Sequence, residues 1–248
     1  MTGQGWSRQL VAAVLVNSVY AMKNYPVVLI NTVLSPVSFL VVVNFVSKGG
    51  LLDQAIEGAF IMSMLSNGMA LQADLSHLKN DFKLQDMVVS SPTTAGVYVT
   101  GMAISEIVYS IPALLTLIIL MGVFVHPSFV QASSLLGVMA LMFFTSVTIG
   151  FTLSTFSSDV IQSFAFTGLI STLFSTLPPV YYPITYIPLP FRYLAYLSPT
   201  TYAAEIAQST TGLLKISATM QILDWLVLIV LTVILGWVAV KKARWREV

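Results

Sequence analysis

Reactive side chains are scarce in this 248-residue sequence, and their spacing excludes most enzyme chemistry. There are two histidines and no cysteine, which removes disulfides, thiolate nucleophiles and cysteine metal sites. His77 and His126 belong to no H-E-x-x-H pattern. The serines are numerous, but none stands in a G-x-S-x-G nucleophile elbow. No lysine follows a glycine-rich loop of the G-x-x-x-x-G-K-[ST] kind, so nucleotide hydrolysis is not expected on this chain. One acid stands out, because Glu106 lies well inside a long apolar run. At the centre of a bilayer a charge costs roughly 3 kcal/mol on insertion scales. Glu106 is therefore expected to be neutral, to face an aqueous cavity or to pair with a group on another helix. A proton relay needs a second carboxylate midway along a neighbouring span. Asp74, Asp159 and Asp224 instead fall near span ends, as interfacial caps, so a structural or cavity-facing role for Glu106 is preferred.

Two segments concentrate the remaining distinctive residues. Pro178 to Tyr202 holds six of the eleven prolines and six of the ten tyrosines, with Arg192 as the one charge. Each proline lacks an amide donor and crowds the preceding turn, so no regular helix runs through Pro178-Pro179-Val180-Tyr181-Tyr182-Pro183. The segment is too apolar for a solvated linker, and tyrosine favours the membrane interface. A broken, partly re-entrant structure at one membrane face is the reading. Arg192 and Glu205 are weak candidates for an ion pair within it. The most charged stretch runs from Leu75 to Pro92. Its apolar Leu75, Leu78, Phe82 and Val89 recur at roughly helical spacing between Lys79, Asp81, Lys83 and Asp86. This is either a short amphipathic helix that transmits force from a docked partner or an ordinary solvated turn.

Composition sets the elements that must carry these segments. The chain is 56% hydrophobic and 8% charged, with a mean hydropathy of +0.87. Soluble domains carry about three times that charge fraction. The net charge of +1 gives no support for nucleic-acid binding. A crossing needs about 20 mainly apolar residues, and six can be laid out: Tyr25 to Val46, Ile56 to Leu75, Ala95 to Phe124, Leu135 to Thr155, Val160 to Leu177 and Ile222 to Val240. His126-Pro127-Ser128 with Gln131, Ser133 and Ser134 divides the third from the fourth. Residues 5–24 are too short in their uncharged part for a span and read as a helix lying in the interface, anchored by Trp6, Arg8 and Lys23. A signal peptide is the lesser alternative, since no small-residue cleavage site follows. Positive residues favour the cytoplasmic side. Placing both termini there leaves only Lys48, Arg192 and Lys215 outside, and puts the two histidines on opposite faces. The expected fold is thus an all-α integral membrane domain over residues 1–248. It has six transmembrane helices, an N-terminal interfacial helix, a cytoplasmic segment at 75–92 and an outer re-entrant segment at 178–212.

A family resemblance is carried by two places. Gln85-Asp86-Met87-Val88-Val89-Ser90-Ser91-Pro92-Thr93-Thr94 is similar to the pattern of ABC-2 type transporter permeases, in which a cytoplasmic helix and a small apolar run precede a proline opening the third crossing. Pro178 through Ala203 resembles that family's proline-aromatic break after the fifth crossing. There a short helix and a Leu-Ser-Pro-x-Thr-Tyr turn follow, here Leu197-Ser198-Pro199-Thr200-Thr201-Tyr202. The importer-type Glu-Ala-Ala loop is missing from the cytoplasmic segments, which favours export. The resemblance implies a permease subunit of an ABC exporter in the cell membrane, paired with a second permease subunit, either an identical copy or a sister chain. Two copies of a separate ATPase would supply ATP and Mg, with no cofactor on this chain. It implies ATPase coupling through Leu78, Lys79, Asp81, Phe82, Lys83, Gln85 and Asp86. A substrate path would run between the second and fifth crossings at Met64, Asn67, Met69, Gln72, Phe164, Thr167, Thr172 and Phe174. An outer gate would form at Pro178, Pro179, Tyr181 and Tyr182. Such a path suits a hydrophobic or amphipathic substrate: a drug-like compound, a lipid or a lipid-linked glycan. The plainer reading of the path residues is lipid contact, packing and interhelical bonding. The alternatives from other classes are an ATPase-independent secondary carrier or channel, which often has paired broken helices near the midplane, and a non-transporting scaffold.

Overall fold

The computed structural model describes residues 3–80, 95–157, 159–176 and 178–242. Among these residues it is all helix and turn, without a strand. The chain opens with α1 (Gly3–Val14), a π-helical segment (Leu15–Val19) and α2 (Tyr20–Asn24). Long helices follow: α3 (Pro26–Ser47), α4 (Leu52–Asn80), α5 (Ala95–Phe124), α6 (Phe129–Phe156) and α7 (Val160–Thr176). A 3-10 turn (Ile184–Tyr186), α8 (Leu189–Ala195) and α9 (Pro199–Thr210) lead into α10 (Ala218–Lys242).

Local chemistry explains several boundaries. Pro26 sits in the first turn of α3, where its missing amide costs nothing. Ser128 caps α6 in a reciprocal box with Gln131. The break between α5 and α6 is therefore confined to Val125-His126-Pro127-Ser128, and Gln131, Ser133 and Ser134 belong to the helix. In the N-terminal segment the expected single helix is interrupted. Asn17 Nδ2 donates to the Ala13 carbonyl (2.9 Å) and Ser18 Oγ to that of Val14, at the π-helical turn. Gly101 lets the segment approach α5, since a Cβ there would stand 2.8 Å from that of Ala13.

Four helical stretches are long and apolar enough to cross a membrane: Leu29–Ser47, Val97–Phe124, Phe129–Ser154 and Ala218–Lys241. Their outer faces expose Ile30, Leu34, Ile118, Ile119, Leu136, Phe144, Val233 and Trp237. An apolar surface of that extent is stable against lipid rather than water. The chain is a multi-pass membrane protein on these grounds.

α4 lies at the centre, packed on α3, α5, α6, α7 and α9. Its run from Gln54 to Ile61 is buried on every side. Enclosure by other helices is what lets it carry Gln54, Glu57 and Gln72 without meeting lipid, and it is correspondingly the most polar of the long helices. The core joins Ile56, Ile61, Leu65 and Met69 of α4 to Leu117 of α5, Val138 and Met142 of α6, Ile206 of α9 and Leu228 of α10. The closest approach is made by small residues. A Cβ on Gly68 would collide with the Ser146 hydroxyl and stand 2.7 Å from its Cβ. Ser146 Oγ in turn donates to the Met64 carbonyl at 3.0 Å.

Candidate functional site

The proline-tyrosine segment folds into a compact tier over one end of the bundle. Pro178, Pro179 and Val180 are buried, and Tyr181 is half-buried with its ring centroid 4.0 Å from that of Phe39. Gly58 of α4 makes this possible, because a Cβ there would strike the Val180 carbonyl oxygen. Gln208 of α9 donates to the Pro179 carbonyl (3.3 Å), and Thr200 Oγ1 to the Phe174 carbonyl at the end of α7 (3.0 Å). Tyr202 hydroxyl donates to the Tyr196 carbonyl (2.9 Å), and Ser198 caps α9.

The expected Arg192–Glu205 ion pair is not made. Arg192 Nε donates to the Ile187 carbonyl (2.7 Å) and one Nη to that of Thr185 (2.8 Å), closing its own turn. Glu205 accepts from the Tyr196 hydroxyl at 3.0 Å. Its carboxyl is pushed up to about 7, by burial first and by the nearby Asp224 second, with the Tyr196 donor opposing. Asp224 itself is buried near the start of α10, with Oδ2 unpartnered among the described residues.

Between α4 and α7 the structure brings two of the path residues together as a polar seam. Thr167 Oγ1 donates to Gln72 Oε1 (2.8 Å), and Gln72 Nε2 to the Ser163 carbonyl (3.1 Å) and Ser157 Oγ (3.4 Å). Ser163 Oγ returns a bond to the Gln72 carbonyl at 3.3 Å. Met64 and Met69 are buried in the core, and Phe174 is half-buried against it. Phe164 and Thr172 lie on the open side of α7.

On the other side of α4 a cavity of about 340 Å³ lies between α3, α4 and α5 beneath Tyr181. Asn31, Thr32, Pro36 and Phe39 line it from α3, Ser63, Ser66 and Asn67 from α4, and Ala113 from α5. Asn67 is the path residue that lines this cavity.

Glu106 is enclosed in α5, 4% exposed, and its carboxyl lies close to that of Asp74 on α4. Asp74 itself is exposed, so a buried carboxyl on α5 stands beside an exposed one on α4, a proximity that the sequence did not reveal. Glu57 went unnoticed as well: it is 1% exposed, one and a half turns into α4. It sits beside the Thr211 hydroxyl. That hydroxyl already donates to the Ala207 and Gln208 carbonyls, and both carboxylate oxygens of Glu57 lack a donor among the described residues. The signal was present, as an acid flanked by apolar Ile56, Ala59 and Phe60, but its place near the expected start of a crossing concealed it.

Leu78 and Lys79 fall in the last turn of α4, at the end opposite the tyrosine tier. Asp81, Phe82, Lys83, Gln85 and Asp86 lie outside the described residues. Among the described residues no cluster of His, Cys, Asp and Glu is suited to hold a metal.

A family model described as ABC-2 type transporter matches residues 9–211, from the N-terminal helices to the turn after α9. No curated protein matches the chain.

Proposed function

Because the chain belongs to the ABC-2 type transporter family, we propose that it is the membrane subunit of an ABC exporter that moves a hydrophobic or amphipathic substrate outward. The family is one of transport subunits, typically non-catalytic themselves, that generally work with an ABC ATPase. The observation that carries the proposal is the extent of the family match, which takes in the segment around Leu78 to Asp86 as well as the tyrosine tier. In this reading α3, α4, α5, α6, α7 and α10 are six crossings, both termini are cytoplasmic and α1 with α2 lies in the interface. The tyrosine tier then caps the outer end, with Pro178, Pro179, Tyr181 and Tyr182 as its gate.

Two permease subunits, alike or sisters, would face one another, each offering Leu78 to Asp86 to one of two ATPase copies that carry ATP and Mg. ATP-driven closure of the ATPases can shift the permease only through differential contact with its inward-open and outward-open forms. A rigid element must therefore connect the coupling segment to the gate. α4 is suited to that: it runs from the coupling end to Gly58, directly under Val180, and spans ~43 Å at 1.5 Å per residue. The substrate path would pass the face of α4 that holds Asn67 and the open side of α7 at Phe164 and Thr172.

Co-purification tests this reading. The tagged chain, expressed with its neighbouring genes, should retain an ABC ATPase, and Phe82→Ala with Asp86→Ala should release it while membrane insertion persists. A chain that binds no ATPase would refute the proposal. A proton-driven carrier is the one competing reading with an observation behind it, the Glu106–Asp74 contact. Uphill transport by liposomes containing this polypeptide alone, under a pH gradient, would decide for it.

A further inference from the structure

The cavity beneath Tyr181 has an unusual lining. Two asparagines and three hydroxyl residues, Asn31, Thr32, Ser63, Ser66 and Asn67, converge on it, and no Asp, Glu, Lys or Arg lines it. Thr32 spends its hydroxyl on the Leu29 carbonyl at 2.9 Å. The side chains of Asn31, Ser63, Ser66 and Asn67 make no hydrogen bond among the described residues. Polar groups enclosed among membrane helices normally bond across to a neighbour, as Gln72 does with Thr167. Here Ser63 and Asn67 are half-buried and Asn31 and Ser66 exposed, and all four line the cavity without bonding across it.

Two of the surrounding helices carry an internal proline. Pro36, midway along α3, gives no amide to the Thr32 carbonyl, and Pro112 does the same to α5 beside Ala113. Thr32 and Pro36 both line the cavity, so the freed carbonyl lies at its wall. The lining thus offers amide donors, hydroxyls and a spare acceptor near mid-helix depth. Phe39 and Tyr181 stack over one end. Asn31, Phe39 and Ser66 of its lining are exposed, so the cavity opens to the chain's surface between α3 and α4.

We propose that this cavity between α3, α4 and α5 is a binding site for an uncharged amphiphile whose polar end bears hydroxyl or amide groups, entering sideways from the bilayer. The uncharged lining selects against phosphate and ammonium groups, which would be desolvated with no counter-charge. A volume of about 340 Å³ lies at the low end for ligand pockets, enough for a compact polar end with its chain left in the lipid. The inference rests on the permease reading, whose substrate class it narrows, and it places binding on the face of α4 turned away from α7.

Photolabelling of the purified full chain in phosphatidylcholine nanodiscs tests it. The probe is a monoacylglycerol with a diazirine in its acyl chain, compared with the same chain ending in trimethylammonium. Saturable labelling of the peptides containing Asn31–Phe39 and Ala59–Asn67 is expected with the glycerol probe and not with the ammonium probe. Asn67→Leu with Ser63→Ala should weaken half-saturation about tenfold, equivalent to ~1.4 kcal/mol, and Asn67→Gln should retain labelling. Tryptophan fluorescence and size-exclusion elution identify any variant that fails to fold. Equal labelling by both probes, or labelling indifferent to the double substitution, overturns the site. So does a copy-to-copy crosslink from position 66 without probe labelling, which would mean that a second subunit fills the cavity. ATPase retention is scored on the same preparations. Lost labelling with the ATPase retained refutes the site alone, and labelling without any ATPase refutes the exporter reading alone.

Discussion

Gly58→Ala is the sharpest test of how the tyrosine tier seats on the bundle. The added methyl would collide with the Val180 carbonyl oxygen and lie 2.9 Å from both the Val180 carbonyl carbon and Tyr181 Cδ1. Ordinary contact begins at 3.4 Å, so the Val180 carbonyl must retreat by about an ångström. It has little freedom to do so, with Pro178 and Pro179 before it, Pro183 after it and its own side chain 1% exposed. Overpacking of this kind costs about 1–3 kcal/mol, and loosening the Tyr181–Phe39 pair adds up to ~1 kcal/mol. Alanine's better helix propensity returns ~1 kcal/mol, for a net loss of up to about 3 kcal/mol. Gly122 in α5 provides the control, because nothing lies within 4 Å of a Cβ there. The same substitution at 122 should stabilise by up to ~1 kcal/mol. Thermal unfolding of the purified chain in detergent, followed by tryptophan fluorescence, reads the sign of each change. Hydrogen exchange at Val180 to Tyr182 reads its location, and should quicken only for Gly58→Ala. If the two variants shift alike, α4 does not meet the tier at Val180 and the proposed link from coupling segment to gate is lost.

Gly68→Ala should destabilise by about 1–3 kcal/mol in the same assay. Ser146→Gly should rescue only part of this, because the Val147 amide nitrogen would still lie 2.9 Å from the new methyl. Gln72→Leu and Thr167→Val should each lower stability, and their double-mutant cycle should return a coupling of ~0.6–1.7 kcal/mol; additive effects would show that the seam does not form. Glu205 gives a pH prediction with a definite sign. Its carboxyl rises from 4.5 to about 7 on folding, so the folded chain binds the extra proton. Its contribution to stability is full below 4.5, falls as the pH rises toward 7 and levels off above. Glu205→Gln should flatten that slope, read as the melting temperature between pH 5 and 8, and an unchanged slope would remove Glu205 as its source.

The helices were legible because length and charge-free runs suffice to find them: Ala95–Phe124 and the start at Val160 coincide with α5 and α7. What sequence could not supply was the direction each helix faces. A soluble helix announces its buried side through polar residues on the other, whereas a helix solvated by lipid is apolar all round. Met64, Met69 and Gln72 thus look interchangeable with Asn67 in the sequence. The turn-by-turn geometry separates them, sending three into the bundle and one to the cavity. The same blindness hid the Glu106–Asp74 contact, since depth along a helix was judged from assumed ends, and α4 extends to Asn80, beyond the expected Leu75. Asp74 then falls inside the helix, opposite a partner.

This has a consequence for how polarity should be read in such chains. Low hydropathy in α4 argues, by composition alone, against a crossing. Yet its buried polar residues are placed where neighbouring helices shield them: Gln54 and Glu57 under the tier and Gln72 against α7. Lipid penalises polar groups only where it touches them, so the helix least suited to face the bilayer is the one that the others surround. Its polarity marks centrality. The position from which one helix touches the tier, the cavity and its neighbouring long helices is then the same position that permits Gln54, Glu57 and Gln72 to remain in it.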